Sequence, residues 1–90
     1  MQLGRVVGHV WATRKDEALT GVKFLVVRII EKLPEEGDKI LVAADTIGAG
    51  VGEKVLVARG SSARRLSGLL QAPIDASVIG IIDEETGEMK

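Results

Sequence analysis

Between Ala43 and Arg64 the chain reads AADTIGAGVGEKVLVARGSSAR, a glycine-rich span set between two apolar runs. Whether it cradles a phosphate, positions a nucleophile or only turns the chain decides what kind of protein this is. The glycines at 48, 50 and 52 first suggest a dinucleotide-binding turn. That fingerprint needs Gly-x-Gly-x-x-Gly between a strand and a helix. Counted from Gly48, its third glycine would fall at Glu53, and strand-like VLVA follows. A Walker loop needs Gly-Lys-Ser or Gly-Lys-Thr entering a helix, yet Gly52 precedes Glu53. Both nucleotide readings fail, which leaves a tight turn. Gly60-Ser61-Ser62-Ala63-Arg64 has the start of a nucleophile elbow without its closing glycine. An activated serine also needs a base held beside it. The single histidine, His9, falls in phase with Arg5 and Val7, as a half-exposed strand residue would. Helix capping accounts for Ser61 and Ser62.

Outward from this span the chain divides into short strand-like runs separated by turn signals. LGRVVGHVWAT (Leu3–Thr13) comes first, with Gly4 and Gly8 marking a bend or the close approach of another backbone. VKFLVVRIIE (Val22–Glu31) follows a polar loop, and LPEEGD turns the chain into KILVAAD (Lys39–Asp45). EKVLVAR (Glu53–Arg59) leaves the glycine span, and SVIGIID (Ser77–Asp83) closes the set. GSSARRLSGLL (Gly60–Leu70) reads as one short helix, with a serine N-cap, Leu66, Leu69 and Leu70 on one face, and Gly68 able to end it. These elements predict a mainly β fold. It is a small, partly open, five-stranded OB-like barrel with one short helix before the last strand, over residues 1–83, and a polar tail at 84–90.

Ninety residues suffice for one domain with one small core. Domains of that size gain support from disulfides, metals or self-association. With no cysteine and one histidine there is no disulfide and no zinc set, so self-association remains. The twelve basic and thirteen acidic residues lack the cationic excess of a nucleic-acid or anionic-membrane surface. The competing reading, an OB-fold module for single-stranded nucleic acid, needs several stacking aromatics, and Trp11 and Phe24 are too few. MQLGRVVGHV lacks the basic segment and apolar core of a signal peptide, so a cytoplasmic location is expected. Asp45, Asp75 and Asp83 stand at strand ends or turns, where Asx turns form. No catalytic, cofactor or metal site is expected. Arg59, Arg64 and Arg65 are expected to pair with Asp45 or Glu53, within a chain or across an interface.

Strand patterning sharpens the case for self-association. A half-exposed barrel alternates apolar inside with polar outside. Here Leu25, Val27 and Ile29 share one face of the second strand, while Phe24, Val26 and Ile30 take the other, interrupted only by Arg28. Val55 and Val57 oppose Leu56 and Ala58, and Ile79 and Ile81 oppose Val78 and Ile82. One small barrel has no second layer for its outer face, so another copy of the chain is expected to cover it.

With MQLGRVVGHVWATRKDEALTGVKFLVV before it and PIDASVIGIID after it, the opening span resembles the vertex proteins of bacterial microcompartments. These are the EutN/CcmL family of ethanolamine-utilisation and carboxysome shells. Its most specific part is Asp45-x-x-Gly48-Ala49-Gly50-x-Gly52-Glu53 followed by Gly60-Ser61-Ser62-Ala63-Arg64. The resemblance implies a non-enzymatic OB-like barrel that assembles as a cyclic homopentamer with a narrow axial pore. Such pentamers cap the vertices of a polyhedral shell whose facets are hexameric tiles, the second implied partner. On that reading the glycine span lets backbones crowd near subunit contacts or the pore, where a Cβ would clash. Gly48, Ala49 and Gly50 are then expected near the five-fold axis. Asp45, Glu53, Arg59, Ser61, Ser62 and Arg64 are expected at the subunit interface.

Overall fold

The computed structural model describes residues 1–10, 21–30, 39–60, 63 and 75–83. Five strands form where the Val-, Ile- and Leu-rich runs lie: β1 (Gln2–Val10), β2 (Lys23–Ile29), β3 (Ile40–Asp45), β4 (Lys54–Arg59) and β5 (Ala76–Ile81). Around the sheet their order is β1–β2–β3–β5–β4, and β4 returns to β1. The mainly β barrel is therefore closed, not partly open. Its neighbours are antiparallel except at one seam. There β3 and β5 run parallel over two residue pairs, Ala44 with Ser77 and Asp45 with Val78. Of the helix expected over residues 60–70, only Gly60 and Ala63 are described, and Ala63 alone is helical. The rest of that span, the turn around Pro73 and the tail at 84–90 lie outside the described residues.

Inward-facing aliphatics fill the barrel: Val6, Leu25, Val27, Val55, Val57 and Val78, with Ala43, Ala49 and Ala76 among them. Burial of this kind is the main driving force for so small a fold. Gly4 shows how close the packing is. A Cβ there would collide with Val27 Cγ1 and come within 3.1 Å of the Arg28 carbonyl oxygen. The strand glycine thus marks a close approach, as its sequence context suggested.

Two bulges change which side chains share a face. In an antiparallel ladder, paired residues project to the same side of the sheet. Val6 pairs with Val27 and Gly8 with Val26, so Val7 is an extra residue in β1. Beyond it the phase flips. Arg5 pairs with Arg28 on the outer side, whereas His9 pairs with Leu25, an inner position, while remaining exposed. The expected phasing of His9 with Arg5 and Val7 is corrected by this bulge, which Gly8 follows directly. In β5, Val78 pairs with Val57 and Gly80 with Leu56, leaving Ile79 as the extra residue. Val78 and Ile81 both pack into the interior, and Ile79 packs outside it. Ile79 thus opposes Val78 as expected, but the expected sharing of one face by Ile79 and Ile81 fails for the same reason.

Outside the barrel a second, smaller cluster forms. Successive register pairs place Phe24, Ala44, Ser77 and Ala58 in one row across four strands. Ala44, Ala58 and Ala63 are buried there, with Val22, Phe24 and Ile79 packed against them. The chain turns back at Gly60, whose φ is +65°, and the Gly60 N–H donates to the Asp75 carbonyl at 2.8 Å. The Ala63 N–H donates to the Gly60 carbonyl at 3.1 Å, which lays Ala63 over the row. Part of the outer face expected to need a second copy is thus covered by the chain itself.

A glycine loop and a bare sheet face as the candidate assembly site

β3 ends at Asp45, whose side chain is fully buried. Burying a carboxylate is costly unless hydrogen bonds and a counter-charge replace its water. Here the loop supplies them. Oδ1 accepts from the Ile47 N–H at 2.9 Å and the Gly48 N–H at 3.1 Å, and Oδ2 from the Ala49 N–H at 2.9 Å. The Asx turn read at Asp45 is therefore present and extended by two donors. Lys23 pairs with Asp45 across the β2–β3 ladder. Its ammonium lies 3.7 Å from Oδ2 and donates to the Ala49 carbonyl at 3.0 Å.

The remainder of the loop is pinned as thoroughly. The Gly50 N–H donates to Glu53 Oε1 at 2.8 Å, and the Glu53 N–H to the Gly50 carbonyl at 3.2 Å. The Gly52 N–H donates to the Val6 carbonyl at 2.8 Å, and Arg5 Nη1 to the Gly52 carbonyl at 2.8 Å. Gly48 and Gly52 have φ of +101° and +92°, a region that side chains with a Cβ rarely enter. Beyond its chain neighbours, a Cβ at either position would meet nothing among the described residues within 4 Å. Within one subunit, conformation and not crowding accounts for these two glycines. The Ala49 methyl turns inward to the core, Gly48 is exposed and Gly50 is half-buried. Ile47 and Val51 project into solvent, 46% and 57% exposed.

The other expected site residues fall in several places. Glu53 closes the glycine loop, as described. Within the chain Arg59 pairs with neither Asp45 nor Glu53. Its Nη2 lies 3.7 Å from Asp75 Oδ2, and its Nη1 donates to Gln2 Oε1 at 3.3 Å. Register is the reason: Arg59 sits opposite Ala76, next to Asp75, whereas Asp45 lies across β5. Ser61, Ser62, Arg64 and Arg65 lie outside the described residues. Among the described residues no three His, Asp or Glu side chains gather as a metal site requires.

Sequence reasoning passed over two features. One is Lys23, which register alone brings to Asp45. The other is a cationic row on the outer face, Lys54–Arg5–Arg28, followed by Ile40 on β3. Net charge gives no sign of this clustering. Its one sequence signal is Arg28, the break in the otherwise apolar outer face of β2. Beside the row lies the bare part of the barrel surface. Ile40 and Val42 are 54% and 51% exposed, and half-buried Val26 pairs with Val42. Phe24, one of the two aromatics, is engaged in the outer cluster. Trp11 lies outside the described residues.

Known proteins place this geometry. Residues 1–83 match the family described as ethanolamine utilisation protein EutN/carboxysome. The chain is 51% identical over 84 residues to the bacterial microcompartment shell vertex protein GrpN of Rhodospirillum rubrum, covering 92% of this chain and 93% of that protein. It is 47% identical over 83 residues to the carboxysome shell vertex protein CcmL of Gloeobacter violaceus, covering 92% and 83%. The solved structure of that CcmL aligns with a TM-score of 0.81 at 47% identity, over 92% of this chain and 86% of that one. A structure described as the GrpN pentameric microcompartment shell protein from R. rubrum aligns with a TM-score of 0.76 at 46% identity, over 92% and 94%.

Proposed function

Since the chain belongs to the EutN/carboxysome family of microcompartment shell vertex proteins, we propose that five copies close into a ring that caps a vertex of a bacterial microcompartment shell in the cytoplasm. The role follows from geometry. A flat sheet of hexameric tiles cannot close on itself, and five-fold points supply the missing curvature. The hexameric tiles of the facets are then its neighbours in the shell.

One observation carries the reading: the aliphatic face around Val42, which no described residue covers and a neighbouring copy would shelter. A stable contact of this kind buries at least ~1,000 Å² in total. The protein acts as a tile, without catalysis or a cofactor. In support, Asp45 and Glu53 are engaged in holding a loop, and the fold offers His9 as the sole imidazole. The backbone of Gly48, Ala49 and Gly50 stands near the five-fold axis. Glu53, Arg59, Ser61, Ser62 and Arg64 contribute polar contacts between subunits, and Asp45 shapes the loop that meets the neighbour.

Native mass spectrometry of the purified chain is the test, and a species of five 9.6-kDa subunits is the expected result. A monomer at all accessible concentrations would overturn the reading. Gly50→Leu should weaken the ring or block its axis, and an unaltered ring would remove that loop from the axis. Charge reversal at Arg64 should likewise weaken assembly.

A further inference from the structure

A ring of five cannot be built from one self-complementary patch, because each chain must present two different surfaces, one to each neighbour. The exposed aliphatics of β3 and of the loop after it fall into two such groups. Ile40 and Val42, with Val26 beside them, form a face on β2 and β3 bordered by Arg28. Ile47 and Val51 stand on the loop. Along β3 the groups are separated by Ala43, Ala44 and Asp45, all buried within the chain.

The loop's construction needs a reason. A buried carboxylate, an ammonium and a glutamate hold its backbone, and the outcome is two aliphatic side chains fixed in water. Rigidity before contact lowers the ordering cost of association. That advantage exists only if those side chains dock. The aliphatic face supplies the matching chemistry, and the pentameric state described for the R. rubrum relative supplies the partner, a second copy. Resting on the ring reading above, we propose that Ile47 and Val51 of one chain seat against Val26, Ile40 and Val42 of the next, head to tail around the ring.

The test disables one surface at a time. Val42→Glu spoils the face, and Ile47→Glu with Val51→Glu spoils the loop tip. At a concentration where the wild type is fully assembled, each variant alone should run at one-subunit mass while keeping the wild-type circular dichroism. Mixed in equal amounts, they should form a two-subunit species and nothing larger. The intact loop of one docks on the intact face of the other, and the two spoiled surfaces stop further growth. Either variant alone forming full rings, or a mixture that stays at one subunit, overturns the pairing. A wild type at one-subunit mass overturns the ring reading beneath it instead.

A milder pair of variants covers the case in which glutamate prevents folding. The chain has no cysteine, so Val42→Cys combined with Ile47→Cys can be treated with a short bis-maleimide. A denaturing gel should show a covalent ladder reaching five subunits. An equal mixture of the two single-cysteine chains should stop at two, and each single-cysteine chain alone should stay at one. A double variant that gives no ladder overturns the pairing.

Discussion

Where β3, β5 and β4 meet, the outer row Phe24, Ala44, Ser77 and Ala58 is sealed by the chain's own return at Ala63. Where β2 meets the first half of β3, the outer positions are Val26, Arg28, Ile40 and Val42, and nothing among the described residues lies over them. Side-chain size separates the middle of the sealed row, Ala44, Ser77 and Ala58, from the open region. Alanine and serine let a neighbouring backbone come close, so a short return of the same chain can seal them. Valine and isoleucine hold a backbone off but offer more apolar area, which suits the side chains of a partner. The sealed region contributes to the stability of one chain at any concentration. The open region contributes only on association, and so depends on how much protein is present.

The anchor at the end of β3 joins the two regions, and its loss should have the largest effect. Asp45→Ala leaves three loop N–H donors without their acceptor and should destabilise the chain by about 3 kcal/mol or more in urea unfolding. Asp45→Asn, which keeps one acceptor oxygen, should retain part of that stability. A loss below ~1 kcal/mol for the alanine variant would mean the loop is held elsewhere.

Adding the same kind of bulk to each region tests the contrast directly. Ala58→Leu overpacks the sealed row and should cost about 1–3 kcal/mol. Val42→Leu, on the open face, should leave the stability of the isolated subunit within about 0.5 kcal/mol. Equal losses for the two would abolish the distinction.

Ser77 sharpens it further. Its hydroxyl is buried in the sealed row with no hydrogen-bond partner among the described residues. An unmet buried hydroxyl is unfavourable, so Ser77→Ala should be neutral or stabilising, by up to about 1 kcal/mol. A marked loss of melting temperature would point to a partner for that hydroxyl. The smallest effect on the fold is expected from Val42→Glu. Its melting temperature should not change with protein concentration, whereas the wild type's should rise with it.

Much of the fold was legible because its signals are local. Runs rich in Val, Ile and Leu, cut by glycine, proline and acidic turns, mark strands wherever the barrel closes. The bulges at Val7 and Ile79 were not legible. A period of two carries no record of an inserted residue, so every position beyond it is assigned to the wrong side until pairing is known. Of the site, the Asx turn at Asp45 could be read, since it needs only a short side chain and the next few N–H groups. Lys23 could not be read, because its contact depends on the β2–β3 register. The partner of Arg59 within the chain could not be read for the same reason: Asp45 and Glu53 lie in the same segment of sequence, and register delivered Asp75.

Residue pattern was enough to establish that the fold is a small β barrel, that its glycine span is no nucleotide loop, and that the chain belongs to a shell-forming family. Each of these rests on composition, spacing or motif, which survive being read in one dimension. Tertiary structure alone decided which outer row Ala63 seals and which outer positions stay exposed among the described residues. It also decided that Asp45 faces inward to hold a rigid loop. Both depend on strand register and on where a return segment lands, contacts between residues far apart in the chain, and local pattern holds no information about such meetings.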